Sequence, residues 1–252
     1  MTRPPIAFYY GTGELEGLAA FQRVVLQPVY TPAELAFLRK RGTEPLVYLS
    51  LSEDPGPAAP WQRTERNPDW GGAFVHVGHP GWVEHVVDQA RSALDDGFTG
   101  LFLDTLNVEL TFPEDVADLL ALVATLREVA GTSYILANRG FALLPRLAEL
   151  VDGVLFESFS VRWIDAGYAP WPPDVLEVHA QVAERLLELD LDLYALDYAA
   201  SEDLADLAAQ RALQFGLHGY VSDRALSRPP VATSPAGAAP GAGTTGRAQH
   251  GR

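Results

Sequence analysis

Short runs of apolar, β-branched and aromatic residues alternate along this chain with longer stretches whose apolar positions recur every three or four residues. The short runs fall at residues 6–10, 24–27, 46–51, 101–106, 134–138, 153–158, 193–198 and 220–222. Most are apolar throughout, as expected of strands covered on both faces in a parallel sheet. The longer stretches carry helix signals. Thr31-Pro32-Ala33-Glu34 reads as a capping box with proline at the first helical position, and Gly42 as the stop. Pro113 opens a helix whose Val116, Leu119, Leu120, Val123 and Leu126 share one face; Val175, Val178, Val182, Leu186 and Leu189 repeat that spacing. Ser201 reads as an N-cap, Leu204, Leu207 and Phe215 line one side, and Gly216 takes the position just past the helix end. Eight strands with helices between them predict an α/β fold, a single (β/α)8 TIM barrel.

Two regions break the rhythm. Residues 53–79, after the third strand, form a long insertion rich in Pro, Gly and Trp, with one possible strand at 73–77. Loops of this length are functional or disordered. Trp61 and Trp70 favour order, and a loop after a barrel strand faces the active end, so a lid or substrate wall is expected. From residue 227 onward Pro, Ala, Gly, Ser and Thr dominate without periodicity. The expected division is a barrel over 1–225 and a disordered Pro/Ala/Gly-rich tail over 226–252.

Composition narrows the chemistry. The 252 residues are 48% apolar, enough for a sizeable core. Eighteen basic against 33 acidic residues give a net charge of −15, which argues against nucleic acid and anionic membrane surfaces as partners. The absence of cysteine removes disulfides, thiolate zinc sites, iron–sulfur clusters and cysteine nucleophiles. No apolar run with a small-residue cleavage site precedes the first strand, so no secretory signal is expected and the chain reads as cytoplasmic as written. No membrane span is expected either: the most apolar helix is interrupted by Asp118, Arg127 and Glu128. The six histidines lack metalloprotease spacing, and there is no P-loop, Rossmann fingerprint or G-x-S-x-G elbow, so the sequence asks for no cofactor or metal.

In a barrel of this kind the chemistry sits at the C-terminal strand ends. Asp104 follows Leu101-Phe102-Leu103, and Glu157 follows Val154-Leu155-Phe156. A charge ending an apolar strand is costly unless it is used or paired. The two lie on the fourth and sixth strands, where they can face each other across a sugar and divide into an ionised partner and a protonated acid. The plainer alternative is that either one pairs with Arg139 or caps a loop. Glu53, Asn138, Arg139 and Asp197 are further strand-end candidates for substrate binding, as are the tyrosines Tyr9, Tyr10, Tyr48 and Tyr198. Trp163 and Trp171 are a possible stacking platform, with partial burial as the bland alternative.

In order along residues 6–223, Ala7-Phe8-Tyr9-Tyr10-Gly11, Tyr48-Leu49-Ser50-Leu51-Ser52-Glu53, the segment from Gly97 through Leu103-Asp104-Thr105, Ala137-Asn138-Arg139-Gly140-Phe141 and Asp152 through Phe156-Glu157-Ser158 resemble glycoside hydrolase family 114. These are the endo-α-1,4-polygalactosaminidase-like barrels, including the hydrolase domains linked to the Pel exopolysaccharide. The resemblance implies a glycosidase acting on galactosamine-rich polysaccharide, with catalytic residues at Asp104 and Glu157. Ser52 stands where the family motif usually has glycine. A carbohydrate-binding barrel without activity, or a hydrolase of another α-linked polysaccharide, are the alternatives.

Overall fold

The computed structural model describes residues 5–165 and 167–230. Eight parallel strands follow the apolar runs: β1 Ile6–Tyr9, β2 Arg23–Leu26, β3 Glu44–Ser50, β4 Gly100–Asp104, β5 Tyr134–Asn138, β6 Gly153–Glu157, β7 Asp192–Tyr198 and β8 His218–Ser222. They pair in chain order in one sheet. The sheet curls until β8 meets β1, forming the predicted TIM barrel. No backbone ladder links those two strands among the described residues. Instead Tyr220 packs on Phe8 with ring centroids 5.8 Å apart, and the Tyr10 amide donates to the Leu226 carbonyl at 2.8 Å.

The caps read from the sequence at Thr31 and Ser201 precede two of the six described helices. The six are α1 Leu15–Leu18, α2 Pro32–Lys40, α3 Pro80–Asp96, α4 Val116–Ala130, α5 Pro173–Leu186 and α6 Glu202–Gln214. The Thr31/Glu34 capping box is present, and Ser201 accepts a bond from the Leu204 amide. The β/α rhythm is incomplete. Two 3-10 turns, Phe141–Leu143 and Arg146–Glu149, replace a helix between β5 and β6. Fourteen-odd residues containing Pro145 leave little room for a longer one.

Strand periodicity builds two cores. One parity, with Ile6, Phe8, Val25, Leu46, Phe102 and Leu155, fills the barrel. The other, with Tyr9, Val24, Leu49, Leu103, Ala137 and Phe156, meets the helices. The barrel floor is polar: Arg23 donates to Tyr194 at 3.0 Å, pairs with Glu44 and Asp192, and stacks on Tyr134 at 3.8 Å.

The insertion folds as a three-stranded antiparallel sheet, Glu53–Asp54, Ala73–Val75 and Gln62–Arg66, with Ala73–Val75 in the middle. Only the middle strand was legible, because Gln62–Arg66 carries no apolar alternation. A hairpin, Val161–Ile164 with Gly167–Pro170, follows β6 and was not expected. Of the predicted tail, residues 231–252 lie outside the described residues. Leu226 is buried and packs inside the barrel beside Phe8 and Tyr198.

Candidate active site

A cavity of about 780 Å³ opens at the C-terminal ends of the strands. Parity decides what reaches it. Tyr10, Tyr48, Asp104, Asn138, Glu157 and Tyr198 share the inward face and line it together. Tyr9 and Asp197, each one residue out of step, do not line it. Tyr9 is buried in the outer layer, its hydroxyl donating to the Thr12 carbonyl. Asp197 is buried beneath the hairpin, where Oδ1 accepts the Ser160 and Val161 amides at 2.8 Å each. Burial raises its pKa to about 6 against the pull of those donors.

Asp104 and Glu157 are joined by one amide. Asn138 Nδ2 donates to Asp104 Oδ1 at 2.8 Å and to Glu157 Oε2 at 2.7 Å. The two oxygens therefore lie no farther apart than the sum of those distances, about 5.5 Å. Asp104 also receives the Tyr48 hydroxyl on Oδ2 and the Thr105 amide on Oδ1, each at 2.8 Å. Three donors on two oxygens suit an anion. Glu157 Oε1 receives the Tyr198 hydroxyl at 2.5 Å. Burial, then the Asp104 charge, raise the Glu157 pKa, and the bonds from Tyr198 and Asn138 oppose them. Asn138 Oδ1 is buried without a partner among the described residues.

Glu53 lines the same cavity, both oxygens accepting from Asn67 Nδ2 at 2.9 and 3.0 Å. Burial is the main cause raising its pKa, with Asp104 adding to it. Tyr10 packs edge-on against Tyr48, centroids 5.3 Å apart. Arg139 lines the wall and forms no ion pair among the described residues, so neither carboxylate is spent on pairing with it. Trp171 donates its indole N–H to the Ser158 carbonyl at 2.8 Å. His179 is buried, its Nδ1 2.9 Å from the Phe159 carbonyl oxygen.

Three strands end alike. The residue after Asp104, Asn138 and Glu157 is left-handed each time: Thr105 at φ 63°, Arg139 at 60° and Ser158 at 54°. None is glycine, and for a β-branched threonine this backbone is an outlier. Strain of this kind costs about 1–3 kcal/mol per residue and gathers at functional sites. Thr105 is held there by its neighbours. Its hydroxyl accepts the Leu51 and Ser52 amides at 3.0 and 2.9 Å, and Ser52 Oγ donates to its carbonyl at 2.7 Å. Thr105 and Ser52 stand in the strand-end motifs but were not among the candidate site residues. The D-T pair at a strand end was the available signal, but nothing local announces a left-handed threonine.

No family model and no curated protein matches the chain. Solved structures do. The chain is similar to the glycoside hydrolase domain of PelA from Pseudomonas aeruginosa, 28% identical with a TM-score of 0.82, over 92% of this chain and 99% of that one. It is similar in fold to Ega3 from Aspergillus fumigatus, solved in complex with galactosamine, 12% identical with a TM-score of 0.71, over 89% and 92% of the two chains. A more distant likeness is TtGalA, an α-galactosidase from Thermus thermophilus, 19% identical with a TM-score of 0.59, over 91% of this chain and 59% of that one. The chain thus has the glycoside hydrolase family 114-like barrel fold.

Proposed function

We propose that this chain is a glycosidase that hydrolyses α-1,4-linked, galactosamine-rich, partly deacetylated polysaccharide through two carboxyl groups. The observation that carries the reading is the single Asn138 amide bonded to both Asp104 and Glu157. It keeps the two carboxyl oxygens within about 5.5 Å of each other, which supports the retaining course, for which the carboxyls lie about 5–5.5 Å apart, over the wider spacing of inversion. Glu157, raised by burial and by Asp104, is the general acid. It protonates the glycosidic oxygen as that bond breaks. Asp104, oriented by its three donors, attacks the anomeric carbon and forms a glycosyl ester. Glu157, now ionised, takes a proton from water, which displaces Asp104 and releases the sugar. The oxocarbenium-like transition state on each step is stabilised by the adjacent anion.

Support for a cationic polymer comes from charge. The cavity is lined by Glu53, Asp69, Asp104 and Glu157 against Arg139 and Arg224, on a chain of net charge −15. Free amino groups of a deacetylated polymer are drawn to such a mouth. The PelA domain and the galactosamine complex of Ega3 point the same way. The test is a polysaccharide panel of galactosaminogalactan, Pel-type polymer and neutral α-glucans, scored for new reducing ends. Cleavage confined to the galactosamine polymers is the expected result. Saturable binding without cleavage would replace the enzyme by a carbohydrate-binding barrel.

A further inference from the structure

Trp70 stands 64% exposed at the mouth of the cavity. An indole left in water forgoes roughly 25 cal/mol for each Å² it fails to bury. Yet its position is tightly specified. Asn67 Oδ1 accepts the Asp69 amide at 2.8 Å and the Trp70 amide at 3.3 Å, closing a turn around Pro68. The Gly71 amide returns to the Asn67 carbonyl at 2.8 Å, with Gly71 at φ 76°. The Asn67 side-chain nitrogen clips that turn to Glu53, inside the cavity. From the opposite rim Arg224 lays its guanidinium over the Trp70 ring, 4.5 Å from the centroid, with Asp69 3.8 Å away and the Trp163 ring 5.2 Å away. One face of the indole is occupied by the cation, and its exposure leaves the other to solvent.

We propose that Trp70 is a sugar-stacking subsite, a preset platform for a pyranose ring of the substrate chain outside the ring held by Asp104 and Glu157. The ligand rests on the glycosidase reading; the platform itself rests on the geometry. The cavity that holds the carboxyl pair and the indole is also lined by Ser52, Glu53, Asn67 and Asp69, which can bond hydroxyls and ammonium, beside apolar Phe74 and Phe112, which suit the C–H faces of a sugar. A volume of about 780 Å³ lies in the upper part of the roughly 300–1,000 Å³ range of drug-sized ligand sites, more than one sugar ring requires. A pyranose presents an apolar C–H face to an aromatic ring, and Arg224 keeps the indole from turning away.

The experiment uses the full chain as wild type, Trp70→Ala, Trp70→Phe and Arg224→Ala, each checked for an unchanged melting transition. Retention in gels containing partly deacetylated α-1,4-galactosamine polymer or a neutral α-glucan measures binding, and initial rates on polymer split kcat from KM. Trp70→Ala should bind the polymer about tenfold more weakly, with KM raised by a similar factor and kcat nearly unchanged. Trp70→Phe should recover most of the binding, and Arg224→Ala should fall between. Unchanged binding by Trp70→Ala overturns the subsite, as does a fall in kcat at constant KM. If the wild type is retained by the neutral glucan alone and Trp70→Ala loses that retention, the platform stands and the galactosamine reading fails. If neither polymer retains the wild type, both are overturned.

Discussion

Tyr198 donates to Glu157 across 2.5 Å, and that bond favours the charged form of the carboxyl. Removing it by Tyr198→Phe should raise the Glu157 pKa further. A general acid works while protonated, so the alkaline limb of kcat/KM should move to higher pH; a shift to lower pH would contradict the assignment. Asp197 offers a stability test. Its pKa is raised to about 6, so its contribution is fully present below the unfolded value near 4 and is lost as pH rises through 6. Asp197→Asn keeps an oxygen for the Ser160 and Val161 amides and cannot ionise. Denaturant unfolding across pH 4–7 should show the wild type losing stability relative to this variant. Parity was the residue-level information the sequence held and a list of strand ends overlooked. Adjacent strand residues face opposite sides, so Tyr9 and Tyr10 could not both line the cavity, nor Asp197 and Tyr198.

The wall between insertion and barrel is fixed by Arg63, on the Gln62–Arg66 strand. It reaches Asp115 at 2.9 Å and lies 4.0 Å from the Phe112 ring centroid, on the turns after β4. Both side chains of the pair are largely buried. Arg63→Ala should strand a buried carboxylate and cost about 3 kcal/mol in chemical unfolding. Thr105→Val keeps the shape but deprives the Ser52 amide of its acceptor, and should cost about 1–3 kcal/mol by the same measurement. The barrel strands and capped helices were readable because their signals are local: apolar runs, a capping box, a glycine stop. The insertion sheet and the 161–170 hairpin were not, because their short strands hold together through pairing and contacts such as Trp163 on Tyr168, at 5.1 Å between rings. The left-handed strand ends belong to the same class, imposed by neighbours rather than by their own residue types.

Across the whole molecule, the sequence arithmetic of strands and helices led to the barrel, and the barrel in turn brings residues 34 and 19 positions apart onto one amide at Asn138. Position at strand ends marked Asp104, Glu157, Asn138, Tyr48 and Tyr198; that Asn138 joins the two carboxyls and that each tyrosine bonds one of them became visible only in three dimensions. The net charge of −15 carries its own prediction. Raising ionic strength from about 0.05 to 0.5 M shortens the Debye length and should raise KM for a cationic polymer while sparing a neutral one. If two carboxyls on one amide cleave a galactosamine polymer, neither can be dispensed with. Reducing-end release from partly deacetylated α-1,4-galactosamine polymer, compared between wild type, Asp104→Asn and Glu157→Gln, tests it most directly. Steady release by the wild type and a loss of about 10³-fold in each folded variant are expected. Near-wild-type release by either variant, or none by the wild type, would contradict it.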